Sequence, residues 1–588
     1  MVSLNSRTLA VPPVAGRIGT ATPLWFGPPE RPLSGWVHAP ATNTARSGAV
    51  LCPPLAYEQD VARYTFRRLA EELAARGVLT VRFDYDGTGD STGSDGDPGR
   101  VRAWLESIAQ AAALARRCGA PSIVLVGMRA GALLAASATQ ATGATGLVAW
   151  DPCKSGRSLV REQHALQRLQ FGESVSSDGD VEVPGFVLSA ETALALGQLE
   201  PDLAGSLVSR ALVLTRTNDE IPKTLANHLT GCDVEIDRAG GQELLLEGTG
   251  SHQQIPLTAI DRITRWVTEA KSPESVPVQV PDAAPQAMRS DRGDELVEQA
   301  ICIGPSDLFC IETQRASGSS GPTVIFVNNA FGSHVGPSRL WVLLARRWAA
   351  AGLRCVRLDL SGIGESPARP GQPEHVVRSP AAFDDLFDAT RALCPDDPAN
   401  VVFVGLCAGG YQALEAAVAL KVRGVCVVNP VLRFRPPELE DGPIDPRRRL
   451  CHPTTTVSRV ARRLPDLPLI TGPRIETWRE MGFGGAPSPE NSWVQELVES
   501  RVDTLCICGE EEARAIALEM SASHRHEGFE VQILRGLDHA LLVADQRAEV
   551  VNRLTEHVVG RFAQRSPRPR PRAKQADDKG WTNMTVSA

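Results

Sequence analysis

The ten residues Arg82-Phe83-Asp84-Tyr85-Asp86-Gly87-Thr88-Gly89-Asp90-Ser91 return 275 positions later as Arg357-Leu358-Asp359-Leu360-Ser361-Gly362-Ile363-Gly364-Glu365-Ser366, with five of the ten identical. A period this long excludes a solenoid, whose repeats are a few tens of residues, and points to duplication of a whole domain. A second pair of turns, Gly127-Met128-Arg129-Ala130-Gly131 and Gly405-Leu406-Cys407-Ala408-Gly409, repeats at an offset of 278, as do the prolines Pro152 and Pro430. Between these landmarks the first half alternates apolar runs with helical patterns. Strand-like sequence from Pro23 to Pro54 ends in Ala49-Val50-Leu51-Cys52, and a helix fits Val61 to Arg76. Val78 to Asp84 reads as a strand, Val101 to Arg117 as a helix and Ile123 to Val126 as a strand before the second turn. Leu147 to Trp150, Ala211 to Thr215 and Val234 to Ile236 read as further strands, after which Leu257 to Ala270 fits a closing helix. Strands and helices alternating at this length predict an α/β fold in each half, a doubly wound and mostly parallel sheet with helices on both faces.

The domain plan follows. Residues 1–271 form the first unit, the Pro-, Ser- and Ala-rich stretch 272–293 a linker, and residues 294–565 the second unit. Within the second unit, about 431–501 is a long insertion, and 566–588 reads as a disordered tail. The chain has 588 residues, 43% hydrophobic and 22% charged, with net charge −8, so there is no basis for general nucleic-acid or membrane-surface binding. No apolar run approaches the roughly 18 residues of a membrane helix. The first twenty residues lack a charged-then-apolar leader, and a cytoplasmic location is expected. Thirteen cysteines, an odd number and without a C-x-x-C pair, argue against a disulfide framework and against a zinc site; no metal or cofactor is expected.

Chemistry concentrates in the second half. The run Val401-Val402-Phe403-Val404 leads into Gly405-Leu406-Cys407-Ala408-Gly409-Gly410 and then an Ala-rich helical stretch to Leu420. A cysteine on a sharp turn between a buried strand and a helix N-terminus projects clear of the backbone. The N–H groups that open the helix favour a thiolate or a developing oxyanion there. The bland reading is a buried structural cysteine in a glycine-rich turn. Downstream, Val502 to Cys508 ends in Gly509-Glu510-Glu511-Glu512, and Val531 to Leu534 leads to Arg535-Gly536-Leu537-Asp538-His539. Nucleophile, acid and histidine thus follow one another, each just beyond a strand end.

That order resembles the α/β-hydrolase superfamily, with Cys in place of the usual Ser, and the resemblance covers roughly Pro23 to Ala270 and Glu295 to Phe562. It implies Cys407 as nucleophile, His539 as general base and Glu512 as triad acid, with Glu511 as the neighbouring alternative and Asp538 structural. The implied oxyanion donors are the N–H of Ala408 and that of Ala330, in the loop Asn329-Ala330-Phe331-Gly332. The hexapeptide at 405–410 is similar to the cysteine lipase box of polyhydroxyalkanoate synthases. Asn329-Ala330, Gly336-Pro337-Ser338-Arg339-Leu340, the Asp359 to Ser366 turn and Val428-Asn429-Pro430 look more like bacterial hydrolases encoded with exopolysaccharide and exosortase systems. Cys52-Pro53-Pro54 and the Phe83 to Ser91 turn of the first half resemble a sister group of these.

The first half carries Arg129 at its elbow, where a permanently protonated guanidinium cannot act as nucleophile. It is expected to be catalytically inactive, kept for packing or for positioning the other half or, alternatively, binding an anion through Arg129. His252 and Asn218-Asp219 stand where its histidine and acid would be. The insertion in the second half carries many arginines, among them Arg447, Arg448 and Arg449, together with Trp478 and Trp493. This suits an acyl thioester on a carrier protein or coenzyme A as donor, with a small-molecule acceptor and no nucleic-acid partner; an oligomer is compatible with the sequence. The leading expectation is a cysteine-dependent acyltransferase in a biosynthetic pathway for a secondary metabolite or polysaccharide. Thioesterase or carboxylesterase activity and a non-catalytic scaffold are the alternatives.

Overall fold

The computed structural model describes residues 20–171, 179–200, 206–216, 225, 229, 231–246, 255–269, 275–290, 293–330, 332–375, 379, 381–430, 497–510, 513 and 528–563. The insertion from 431 to 496, the tail, Glu511, Glu512, His252 and Asn218-Asp219 lie outside the described residues.

In the first half the strands are β1 (Thr20–Phe26), β2 (Leu33–Ala39), β3 (Ser47–Cys52), β4 (Val78–Phe83), β5 (Ile123–Met128), β6 (Gly146–Trp150), β7 (Val181–Val183), β8 (Phe186–Leu188), β9 (Arg210–Thr215) and β10 (Asp233–Arg238). The helices are α1 (Tyr57–Ala75), α2 (Arg100–Arg117), α3 (Ala130–Ser137), α4 (Gly156–Phe171), α5 (Ala190–Gln198) and α6 (Leu257–Glu269). The sheet runs β1-β2-β4-β3-β5-β6-β9-β10, parallel from β4 onward, with β7 and β8 forming a separate hairpin. Strands such as β3 and β5 are buried along their whole length, as central parallel strands covered on both faces must be. Helices α1 and α6 cover one face through Phe66, Leu69, Ile263 and Trp266; α2 and α3 cover the other through Trp104, Ile108 and Leu134.

The second half repeats the plan. Its strands are β11 (Gln286–Arg289), β12 (Glu295–Ile303), β13 (Leu308–Arg315), β14 (Thr323–Val327), β15 (Arg354–Leu358), β16 (Val401–Leu406), β17 (Gly424–Val428), β18 (Asp503–Cys508) and β19 (Phe529–Ile533). They are ordered β11-β12-β13-β15-β14-β16-β17-β18-β19. Helices α7 (Leu340–Ala350) and α10 (Ala544–Val558) cover one face, α8 (Ala382–Leu393) and α9 (Ala408–Leu420) the other. Apart from the added edge strand β11, the order is that of the first sheet. The register agrees as well: Cys52 lies opposite Gly127, and Val327 opposite Gly405. Both sheets have the α/β-hydrolase fold.

The stretch read as a linker is more engaged than its composition suggests. Val276 pairs with Ala45 in a short ladder on the first half, and β11 pairs antiparallel with β12 of the second. A helix in the sequence at Val61 begins earlier in the structure, at Tyr57. Between Trp150 and Ala211, where no element is expected from the sequence, the chain forms α4, the β7–β8 hairpin and α5.

The two halves meet through the repeated turn itself. Arg82 forms a bidentate pair with Glu365, at 3.0 and 2.9 Å, and the equivalent Arg357 pairs with the equivalent Asp90. Arg67 donates to the carbonyl of Gly364, while Arg339 donates to that of Gly89; the two glycines are equivalent positions, the two arginines are not. Each half therefore gives the other what it receives, the reciprocity of a two-fold interface. Trp25 and Trp36 of the first sheet pack on Ala300, Phe309 and Ile311 of the second.

Candidate active site

Strand β16 ends at Leu406, and Cys407 turns the chain into α9 with φ 55° and ψ −120°. Such a backbone is costly for a residue with a Cβ and persists only where its surroundings enforce it. They do so here. The N–H of Cys407 donates to the carbonyl of Val428 at 3.0 Å, tying the elbow to the end of β17. Gly409 is pressed so close to the preceding strand that a Cβ would stand 2.1 Å from the carbonyl oxygen of Asn328. The chain at Val327 and Asn328 therefore passes directly beside the elbow, Ala330 follows two residues on, and Ala408 opens α9 immediately after the thiol.

His539 is buried. Its turn joins the elbow through packing, since Cys407, Ala408, Leu537 and Leu541 share one apolar cluster. A polar clamp joins them as well. Asn429, the residue after β17, donates its side-chain N–H groups to the carbonyls of Asp538 and His539, each at 3.2 Å, and accepts from the N–H of Gly509 at 3.0 Å. One side chain thus ties together the ends of β17 and β18 and the histidine turn. Asn429 has φ 41°, a left-handed conformation that Asn and Asp tolerate better than other residues with a Cβ. Sequence reasoning quoted Asn429 without giving it a role. The signal was available in Asp151, the equivalent residue of the first half, which also has positive φ.

Asp538 is structural: its carboxylate accepts from the N–H groups of Ala540 (3.0 Å) and Val543 (3.1 Å) within the turn. Glu510 is exposed beyond β18, and Glu511 and Glu512 lie outside the described residues. Among the other cysteines, burial pushes the thiols of Cys355, Cys426 and Cys310 well up, which keeps them protonated and inert.

The elbow of the first half has the same backbone, with Arg129 at φ 54° and ψ −120°. Its guanidinium is buried and fully engaged: Nε donates to Glu58 at 3.2 Å, another nitrogen pairs with Glu162, and a third lies 3.7 Å from Asp151. Arg216 adds a second cation on Asp151 at 2.6 Å. Burial pushes the Glu162 carboxyl up to about 7, partly offset by Arg129. Among the described residues, three carboxyl groups thus surround these two guanidiniums, an internal ion-pair cluster in which Arg129, expected as an alternative anion site, is already engaged by the protein's own carboxylates.

A strained residue between a central parallel strand and a helix, with a histidine turn packed against it, makes this the candidate active site. Residues 324–554 match the model of the alpha/beta hydrolase family. No curated protein matches the chain. Solved structures similar to it include the hyperthermophilic esterase from the archaeon Pyrobaculum calidifontis, with 17% identity over 45% of this chain and 85% of that one and a TM-score of 0.29. A thioesterase domain from the curacin biosynthetic pathway is 18% identical over 44% of this chain and 99% of that one, with a TM-score of 0.27. A serine hydrolase without a lid from Xanthomonas campestris is 14% identical over 44% of this chain and 93% of that one, with a TM-score of 0.26. Among the described residues no helix is long and apolar enough to cross a membrane, and no group of three or more His, Cys, Asp or Glu side chains could hold a metal ion.

Proposed function

We propose that the second half is a cysteine-dependent acyltransferase acting on a thioester or activated ester. The observation that carries the reading is Cys407 on a strained elbow at a helix N-terminus, in one apolar cluster with the turn of His539. In the proposed reaction the Cys407 thiol gives its proton to His539 and the resulting thiolate attacks the acyl carbon. The bond from that carbon to the leaving sulfur or oxygen breaks, and the leaving group takes a proton from His539. An acceptor hydroxyl or amine then gives its proton to His539 and attacks the acyl-cysteine, which releases the thiolate. The N–H groups of Ala408 and Ala330 hold the oxyanion of each tetrahedral intermediate, and Glu512 orients the imidazole.

A thiolate attacking a thioester exchanges one thioester for another. Loading therefore costs little free energy, and the acyl-cysteine stays reactive. The donor is assigned as a carrier-protein or coenzyme A thioester. Hydrolysis by water is the second reading, supported by the match of residues 324–554 to the alpha/beta hydrolase family model. The test is to load the protein with a simple acyl thioester and follow decay of the acyl-enzyme. Acceleration by an added amine or alcohol supports transfer. Fast decay in buffer that no acceptor changes makes the domain a thioesterase.

A further inference from the structure

The turn that carries His539 is held from two sides, and one of them is the other half of the chain. The β7–β8 hairpin of the first half closes through Pro184-Gly185, with Val183 paired to Phe186. At its tip the N–H of Gly185 donates to the carbonyl of Leu542 at 3.0 Å. Only glycine fits there: φ is +72°, and a Cβ would stand 2.3 Å from the hydroxyl of Ser338. One strand back, the Glu182 carboxylate accepts from the N–H of Ala544 at 2.5 Å. Ala544 is the first residue of α10, and the residue before it, Val543, has no side chain able to cap a helix. The orphan N–H and the positive end of the helix dipole are thus satisfied by a carboxylate from the first half. The hairpin is itself anchored, with Val181, Val183, Phe186 and Leu188 all buried in the core of the first half. On the far side of the turn, Arg547 donates to the carbonyls of Leu541 (3.0 Å) and Leu542 (3.3 Å).

We propose that the first half, although it lacks a nucleophile, positions the histidine of the second: its hairpin fixes the 538–544 turn through Glu182 and the Gly185 N–H, and so sets the distance from His539 to Cys407. Glu182 is a positioning residue, acting through α10 and the turn without touching substrate. The proposal rests on the reading of Cys407 and His539 as nucleophile and base.

The experiment uses the full chain with Glu182→Ala, Glu182→Gln and, as a reference, His539→Ala. Two quantities are read: the pH profile of Cys407 alkylation by iodoacetamide, and the single-turnover rate of acylation by p-nitrophenyl acetate. Glu182→Ala is expected to slow acylation about ten-fold at unchanged half-saturating concentration, because a small displacement of a catalytic group is costly. It is also expected to move the alkylation profile in the direction His539→Ala moves it. Glu182→Gln keeps an oxygen that can accept from Ala544 and should recover most of both. A loss that Gln does not rescue, or a Glu182→Ala protein with wild-type rate and profile, overturns the proposal. The two failures separate cleanly. If His539→Ala shifts the profile and Glu182→Ala does not, only the positioning role fails. If His539→Ala itself leaves the profile unchanged, the assignment of the base fails and the positioning role fails with it.

Discussion

Cys407 and Arg129 occupy the same backbone geometry to within a degree, yet one is the proposed nucleophile and the other is locked in ion pairs. The strain of the elbow is thus a property of the fold, retained where the chemistry has gone. Replacing Arg129 tests this. Arg129→Ala strands the buried carboxylates of Glu58 and Glu162 and should cost about 3–5 kcal/mol in urea denaturation, with acylation of Cys407 unchanged. A loss of acylation in that variant would mean that the two elbows are chemically coupled. In the second half, under the proposed triad, Glu512→Gln should slow acylation by orders of magnitude, because a neutral partner no longer holds the His539 tautomer. If Glu511→Gln has that effect and Glu512→Gln does not, the acid is one residue earlier. The turns that carry Cys407 and His539 were legible in the sequence because each follows an apolar strand. The ion pairs of Arg129 were not, since Glu58 and Glu162 come from helices far along the chain that only folding brings to the elbow.

Strand ends do the positioning at the level of elements. The central strands announce themselves as unbroken apolar runs, and most of their ends fall within a few residues of where the sequence puts them. The short strands β7 and β8 and the polar edge strand β11 do not. Three residues carry too little periodicity, and an edge strand with one neighbour can be as polar as a linker. Asn429 is the element-scale counterpart of the elbow, one side chain bridging β17, β18 and the histidine turn. Asn429→Asp imports the residue of the first half and exchanges two N–H donors for a carboxylate facing the carbonyls of Asp538 and His539. The expected result is acylation slowed at least about ten-fold, the equivalent of one misplaced hydrogen bond, in a protein whose circular dichroism is unchanged. Wild-type acylation would show that the turn is held without the clamp.

Across the whole molecule, the best-preserved repeat in the sequence is a contact between the halves. Arg82 with Glu365 and Arg357 with Asp90 exchange partners across an approximate two-fold axis, so both copies of the turn must keep a basic and an acidic residue. At its centre His334 bridges Asp359 at 2.7 Å and Asp90 at 2.9 Å. Burial alone would lower its pKa, but the two carboxylates outweigh that and hold it up at about 10, from an ordinary 6.5. Because the folded value is the raised one, the stabilisation is complete below about pH 6.5 and is lost as pH rises toward 10. The first half has Gln59 at the equivalent place, donating to Asp84 at 3.0 Å. His334→Gln should therefore fold, should be less stable than wild type at pH 6.5 by on the order of 3 kcal/mol, and should lose the alkaline decline in urea midpoint between pH 6.5 and 10. An unchanged alkaline decline in that variant would place the titrating group elsewhere. The central claim is the acyl-cysteine itself. Mixing the full chain with an acyl thioester, quenching in acid and mapping the adduct by peptide mass spectrometry tests it directly. The account predicts one acyl group, on the peptide containing Cys407, and none in Cys407→Ala; no adduct, or one on Cys426 or Cys506 in its place, would contradict it.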